Sequence, residues 1–113
     1  MMRDFFMGFI KIHILFHATE APVFGLDLIR ELETHGYRLS PGTLYPILHK
    51  LERQGYLQAE RQVVNGKIRK YYTATARGRS ALVEAYAKAR ELLDEIAPAK
   101  DGAGYRPEGP REK

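Results

Sequence analysis

The chain contains no cysteine, which excludes disulfides, thiolate metal sites and cysteine nucleophiles together. It has no long apolar run. The stretch from Phe5 to Phe16 is broken by Gly8, Lys11 and His13, so it is too short and too interrupted to span a bilayer. No charged start, apolar middle and small-residue cleavage site follow one another; no membrane partner is expected, and the expected compartment is the cytoplasm. There is also no Gly-rich phosphate loop, no recognisable set of nucleophile, base and orienter, and no internal repeat. The expectation is therefore a protein that is not an enzyme and requires no cofactor.

What is present is 113 residues with 44% apolar content, enough for one folded domain whose modest core would gain from a partner subunit. The formal charge of +4 is unevenly spread. Residues 38 to 79 hold nine Lys or Arg against only Glu52 and Glu60, whereas the rest of the chain is net acidic. A polyanion would meet the middle of this protein.

The pattern along the chain is mainly helical. Residues 4 to 18 form an almost uniformly apolar helix, with Phe5, Phe6, Phe9, Ile10, Ile14 and Phe16 on several faces, which must be covered on more than one side. Pro22 ends that region. Gly25 to Glu33 carries a stripe of Gly25, Leu28, Ile29 and Leu32, and His35-Gly36 closes it. Ser40 is a natural N-cap with Pro41 at the first helical position. From there Leu44, Ile47, Leu48 and Leu51 form an i, i+3, i+4, i+7 stripe up to the Gly55-Tyr56 stop. Helix, short Gly-containing turn and capped helix is helix-turn-helix grammar. Leu57 to Val64, Asn65-Gly66 and Lys67 to Ala74 read as a hairpin, and its basic tip reads as a wing. Thr75 caps a last helix running to about Ala97, whose Leu82, Tyr86, Ala89, Leu93 and Ile96 are spaced as a heptad seam. A seam asks for a second helix, so we expect an intersubunit pairing in which the Phe-rich first helix takes part. Residues 98 to 113 carry no apolar stripe and read as a disordered tail. The expected division is a winged helix-turn-helix domain over 1–75, a dimerisation helix over 76–97 and the tail. In fold class this is mainly α with a small β-hairpin.

These residues resemble the PadR family of winged-helix transcriptional regulators over about residues 12 to 80. The resemblance is carried by Gly25-Leu26-Asp27-Leu28-Ile29, by Leu39-Ser40-Pro41-Gly42-Thr43-Leu44-Tyr45-Pro46, by Gly55-Tyr56-Leu57, and by Arg69-Lys70-Tyr71-Tyr72-Thr73 with the Thr75-Ala76-Arg77-Gly78-Arg79 helix start. The single C-terminal helix is similar to the short subgroup of that family. The resemblance implies a homodimer, held by its first and last helices, that binds a near-palindromic operator, usually as a repressor. Some relatives stack flat hydrophobic compounds on a tryptophan of the last helix. This chain has no tryptophan, so stacking of that kind is not expected, although Phe5, Phe6, Phe9 and Tyr86 could line an apolar pocket for a small hydrophobic ligand or simply form dimer core.

On a helical wheel Gly42, Pro46, His49 and Arg53 fall opposite the apolar stripe, flanked by Thr43, Tyr45 and Lys50. A face of small, aromatic, hydroxyl and cationic groups without a central acid suits phosphate and base-edge contact. Ser40 and Thr43 are expected at phosphates beside the helix N-terminus, with Tyr45, His49 and Lys50 toward the groove. Tyr45 could instead be partly buried against the wing. Arg38, Arg53, Lys67, Arg69 and Lys70 are expected along the sugar-phosphate backbone. A second reading makes the basic face a protein-interaction module for an acidic partner. His13 and His17 lie four apart, which permits two metal bonds from one helical face. A third ligand would have to come from Glu20, His35 or another subunit, and ordinary packing or surface histidines are the plainer reading.

Overall fold

The structure, a computed structural model, describes residues 2–97; the tail expected over 98–113 lies outside the described residues. Along the chain it has α1 (Met2–Glu20), β1 (Val23–Phe24), α2 (Gly25–Thr34), α3 (Pro41–Arg53), β2 (Leu57–Val64), β3 (Lys67–Ala74) and α4 (Ala76–Ile96). The first compact unit ends at Val83 and the second begins at Glu84, so the chain divides within α4.

In the first unit, one stripe from each helix meets in a single core. Ile10, Ile14, Leu15 and Ala18 come from α1, Leu28 and Leu32 from α2, and Leu44, Ile47, Leu48 and Leu51 from α3. Leu57 and Tyr72 close it from the sheet. Each fully buried leucine contributes about 1.5–3 kcal/mol, and the four residues of α3 are those its periodicity marks as inward. Leu82, expected in the seam, is half-buried against this same core, as is Ala81.

Both helix-turn-helix elements end in the same way. At the end of α3, Gly55 N–H donates to the Glu52 carbonyl and Tyr56 N–H to that of Leu51, at 3.0 and 2.9 Å. Gly55 takes the left-handed φ of +86° that this Schellman closure requires. At the end of α2, Gly36 N–H donates to Glu33 and Tyr37 N–H to Leu32, each at 3.0 Å. The turn into α3 is thus fixed by backbone bonds.

The sheet has three antiparallel strands in the order β1-β3-β2. The Asn65-Gly66 turn has positive φ at both residues, 52° and 78°, as a two-residue hairpin turn demands. Strand β1 was not foreseen. It pairs Val23 with Tyr72 and Phe24 with Tyr71, and Phe24 is at the same time the N-cap residue of α2. Tyr72 is fully buried and Tyr71 half-buried, as their alternation across the strand requires.

Candidate nucleic-acid interface

The geometry of α3 follows from its sequence with two departures. Ser40 has the extended backbone of an N-cap, and its carbonyl accepts from Thr43 and Leu44 N–H at 3.0 Å. Its hydroxyl does not cap the helix; it lies 3.4 Å from the Thr43 hydroxyl. With no side-chain cap and no acid in the first turn, the positive end of the α3 dipole is left uncompensated and open to an anion. The second departure is Tyr45, which packs on the start of α2: a Cβ built on Gly25 would lie only 2.5 Å from the Tyr45 hydroxyl. Its ring also lies 6.3 Å from that of His49. Tyr45 is therefore half-buried and offers the outer surface only part of its ring.

Gly42, Pro46, His49, Lys50 and Arg53 are all exposed, as are Arg38 and Ser40. Gly42 is the informative member. A Cβ there would meet nothing closer than the Ser40 hydroxyl at 3.7 Å, an ordinary contact, so nothing within the chain demands glycine. Pro46, inside the helix, has no N–H to give the Gly42 carbonyl. Both residues thin the backbone's covering on the outward face.

The wing is held to α3 by named contacts. Thr75 N–H donates to the Tyr56 carbonyl at 3.1 Å, and its hydroxyl donates to that of Gly55 at 2.5 Å. The same hydroxyl accepts from Gly78 N–H at 3.0 Å, capping α4. Gly78 packs so tightly that a Cβ would fall 2.1 Å from the Tyr56 carbonyl oxygen. The Arg77 guanidinium lies 5.0 Å over the Tyr56 ring.

The basic residues of the wing occupy two faces. Arg61 pairs with Lys70, and Gln62 with Arg69; alternation then puts Arg61 and Lys70 on one face and Lys67 and Arg69 on the other. Lys70 lies 3.7 Å from Glu52, the one acid of α3. It ties the wing to α3 and neutralises that acid. Arg69 is half-buried, its guanidinium 4.8 Å over the Phe24 ring. Lys67 is fully at the surface. Sequence reasoning missed the cross-strand pair Val63 and Ile68 near the wing tip, which are 74% and 72% exposed. Their signal was available: two β-branched residues flanking a turn, beyond the reach of any core.

The sequence profile described as the "Transcriptional regulator PadR-like family" matches residues 14–84. The chain belongs to the PadR family of transcriptional regulators. It is 48% identical over 95 residues to the transcriptional regulator Rv3488 of Mycobacterium tuberculosis, covering 84% of this chain and 89% of that one. Among solved structures, it resembles a PadR family transcriptional regulator from Eggerthella lenta, with TM-score 0.74 and 34% identity over 83% of each chain. A PadR-like transcription factor from Bacteroides fragilis matches with TM-score 0.72 and 30% identity, over 81% of this chain and 90% of that one. The three-stranded sheet beside the helix-turn-helix is thus a PadR-type winged helix, built for DNA-binding regulation and not for catalysis.

The remaining PadR expectations fall elsewhere in the molecule. On α1, Phe5 and Phe9 are 59% and 50% exposed, and Phe16 is also exposed; Phe6 stands edge-on to Tyr37 at 5.8 Å. Phe6, Met7, Ile10 and Tyr37 line a shallow hollow. On α4, Tyr86, Leu93 and Ile96 are exposed together with Val83 and Leu92, and Ala89 is exposed too. His13 and His17 are joined by His35, the C-cap residue of α2; Glu20 is not part of that cluster. Burial first, then the neighbouring His35 and His17, hold the His13 imidazole below the ordinary histidine value, while Glu31 pulls the other way. Among the described residues no helix is long and apolar enough to cross a membrane.

Proposed function

We propose that this PadR-family regulator acts as a homodimeric repressor, placing the outward face of α3 in the major groove of each half of a near-palindromic operator. The observation that carries the reading is the acid-free face of Gly42, Pro46, His49, Lys50 and Arg53, whose one nearby carboxylate, Glu52, faces Lys70. Ser40 and Thr43 hydroxyls at the uncompensated N-terminus meet phosphate. Arg38, Arg53 and Lys67 follow the backbone, and the exposed Val63–Ile68 pair suits apolar contact in the groove beside the wing. Tyr45 holds α3 against α2 and touches DNA only at its edge.

Dimerisation is supported by the exposed aromatic and aliphatic residues of α1 and α4, since a monomer seldom leaves so many large apolar side chains in water. Two-fold symmetry then sets the half-sites about one helical turn, or ~34 Å, apart. Release by a small-molecule or metal effector completes the reading. The test is fluorescence anisotropy with labelled duplex from the protein's own promoter region, against scrambled duplex, across a salt series. Lys50→Ala is expected to blur the preference for operator over scrambled DNA. No preference at any salt would reject the reading and favour an acidic protein partner for the basic face.

A further inference from the structure

Three histidines from two helices meet between α1 and the end of α2. His13 and His17 project from one face of α1, and the Schellman closure of α2 brings His35 onto them. One ring nitrogen from each lies within 4.8 Å of the others. The His13 and His35 rings stack at 4.4 Å between centroids, and those of His13 and His17 are nearly parallel at 6.4 Å. Glu31, one turn before His35, places Oε2 3.3 Å from His35 Nε2 and 3.6 Å from His17 Nε2. His17 Nε2 is shut off from water and has no hydrogen-bond partner.

Packing alone accounts poorly for this arrangement. A buried imidazole nitrogen without a partner costs free energy. A bound cation removes that cost by taking up the nitrogen lone pair. We propose that His13, His17, His35 and Glu31 form a site for one divalent late first-row transition metal per chain, of the zinc class, and that this ion is the effector of the regulator.

Imidazole nitrogen with a single carboxylate selects zinc, nickel, cobalt or copper over magnesium or calcium. Tetrahedral zinc with bonds of about 2.0–2.1 Å places neighbouring ligand atoms about 3.4 Å apart. The three histidine nitrogens, within 4.8 Å of one another, close to that by side-chain shifts of about an ångström, and Glu31 already lies 3.3 and 3.6 Å from two of them. The regulatory consequence follows from position and rests on the DNA-binding reading above. His35 is the last residue before the Gly36–Leu39 turn into α3, so an ion joining it to α1 fixes the end of α2 and the departure of the reading helix. Metal favours whichever arrangement of α1 and α2 closes the site, and operator affinity shifts with it.

The test uses the tag-free full chain, zinc titrated against a chromophoric chelator, and cobalt(II) as a visible probe. One zinc per chain and a tetrahedral cobalt absorption band are expected. His35 is exposed, so His35→Ala keeps the fold, checked by circular dichroism. It should lower zinc affinity by at least about 100-fold, the upper end of the loss seen for a mere outer-shell partner. Glu31→Gln should lower it by at least about tenfold. Equal zinc binding by the wild type and His35→Ala, or none below millimolar zinc, would overturn the site. Operator affinity is then compared in zinc and in chelator, with a change of about five- to 150-fold expected. Stoichiometric zinc binding with operator affinity unchanged within about twofold would overturn the effector role. Zinc binding by a chain that prefers no DNA under either condition would instead refute the DNA-binding reading while leaving the site standing.

Discussion

Gly42→Ala separates a residue chosen for the chain's own fold from one chosen for what docks on it. The added Cβ meets only the Ser40 hydroxyl, at 3.7 Å, so the free protein has room for it. Glycine within a helix costs about 0.5–1 kcal/mol relative to alanine, and at the second residue of α3 the gain belongs at the lower end. A domain of this size changes melting temperature by about 4–8 °C per kcal/mol; the variant should melt a few degrees higher or not differ. In the complex, the extra carbon stands about 1.5 Å farther out than the glycine Cα. It holds the duplex off by that distance at the helix end where Ser40 and Thr43 meet phosphate. Charge-assisted hydrogen bonds do not survive such a displacement, and losing one costs about 1.5–3 kcal/mol, a roughly 10- to 150-fold rise in operator Kd. The assay pairs a thermal melt with anisotropy on operator duplex at fixed salt. An unchanged Kd in a variant that melts no lower would show that DNA does not approach α3 at Gly42. The proposed reading face would then be wrong at its centre.

Gly78→Ala should show the opposite signature. Its Cβ would overlap the Tyr56 carbonyl oxygen, which belongs to the rigid end of α3, so a destabilisation of about 1–3 kcal/mol or more is expected in denaturant unfolding; a neutral result would refute the close packing. Lys67→Ala should reduce the slope of log affinity against log salt by about 0.9, the share of one phosphate contact. Lys70→Ala, which removes a cation already facing Glu52, should change the slope less; equal effects would place Lys70 on the phosphates instead. Leu93→Glu puts a charge on an exposed position of α4 and should leave helix content unchanged while light scattering reports monomers. A dimer mass would exclude this stretch of α4 from the interface.

How far the sequence exposed all this depended on the range of each interaction. The buried stripe of α3 was legible because a helix repeats every 3.6 residues, so identity alone assigns Leu44, Ile47, Leu48 and Leu51 to one side. The hairpin was legible because Asn65-Gly66 is local chemistry, and Gly36 and Gly55 announced helix ends for the same reason. Strand β1 left no such trace. Two residues have no period, and Val23–Phe24 is a strand only because β3 presents a second edge to it. The partners of the Ser40 hydroxyl, Tyr45 and Lys70 were hidden for a related reason: Thr43, Gly25 and Glu52 meet them only once the chain is folded.

The histidine cluster shows where local and distant information meet. The spacing of His13 and His17 fixes two imidazoles on one face of α1 and can do no more. The third depends on the register of α2 against α1, which the core sets through Ile14, Leu28 and Leu32, and on the Gly36 closure that sets His35 against His13. Glu31 follows at once, being one turn away on the same helix. The same α2 termination therefore both completes the four-residue cluster and launches the chain toward α3. A perturbation of that helix end reaches the N-cap of α3 through the four residues Gly36–Leu39, with no longer pathway needed. This is why zinc and operator affinity should be coupled in this protein, and why His35→Ala should abolish the coupling while leaving the apo protein's grip on DNA intact.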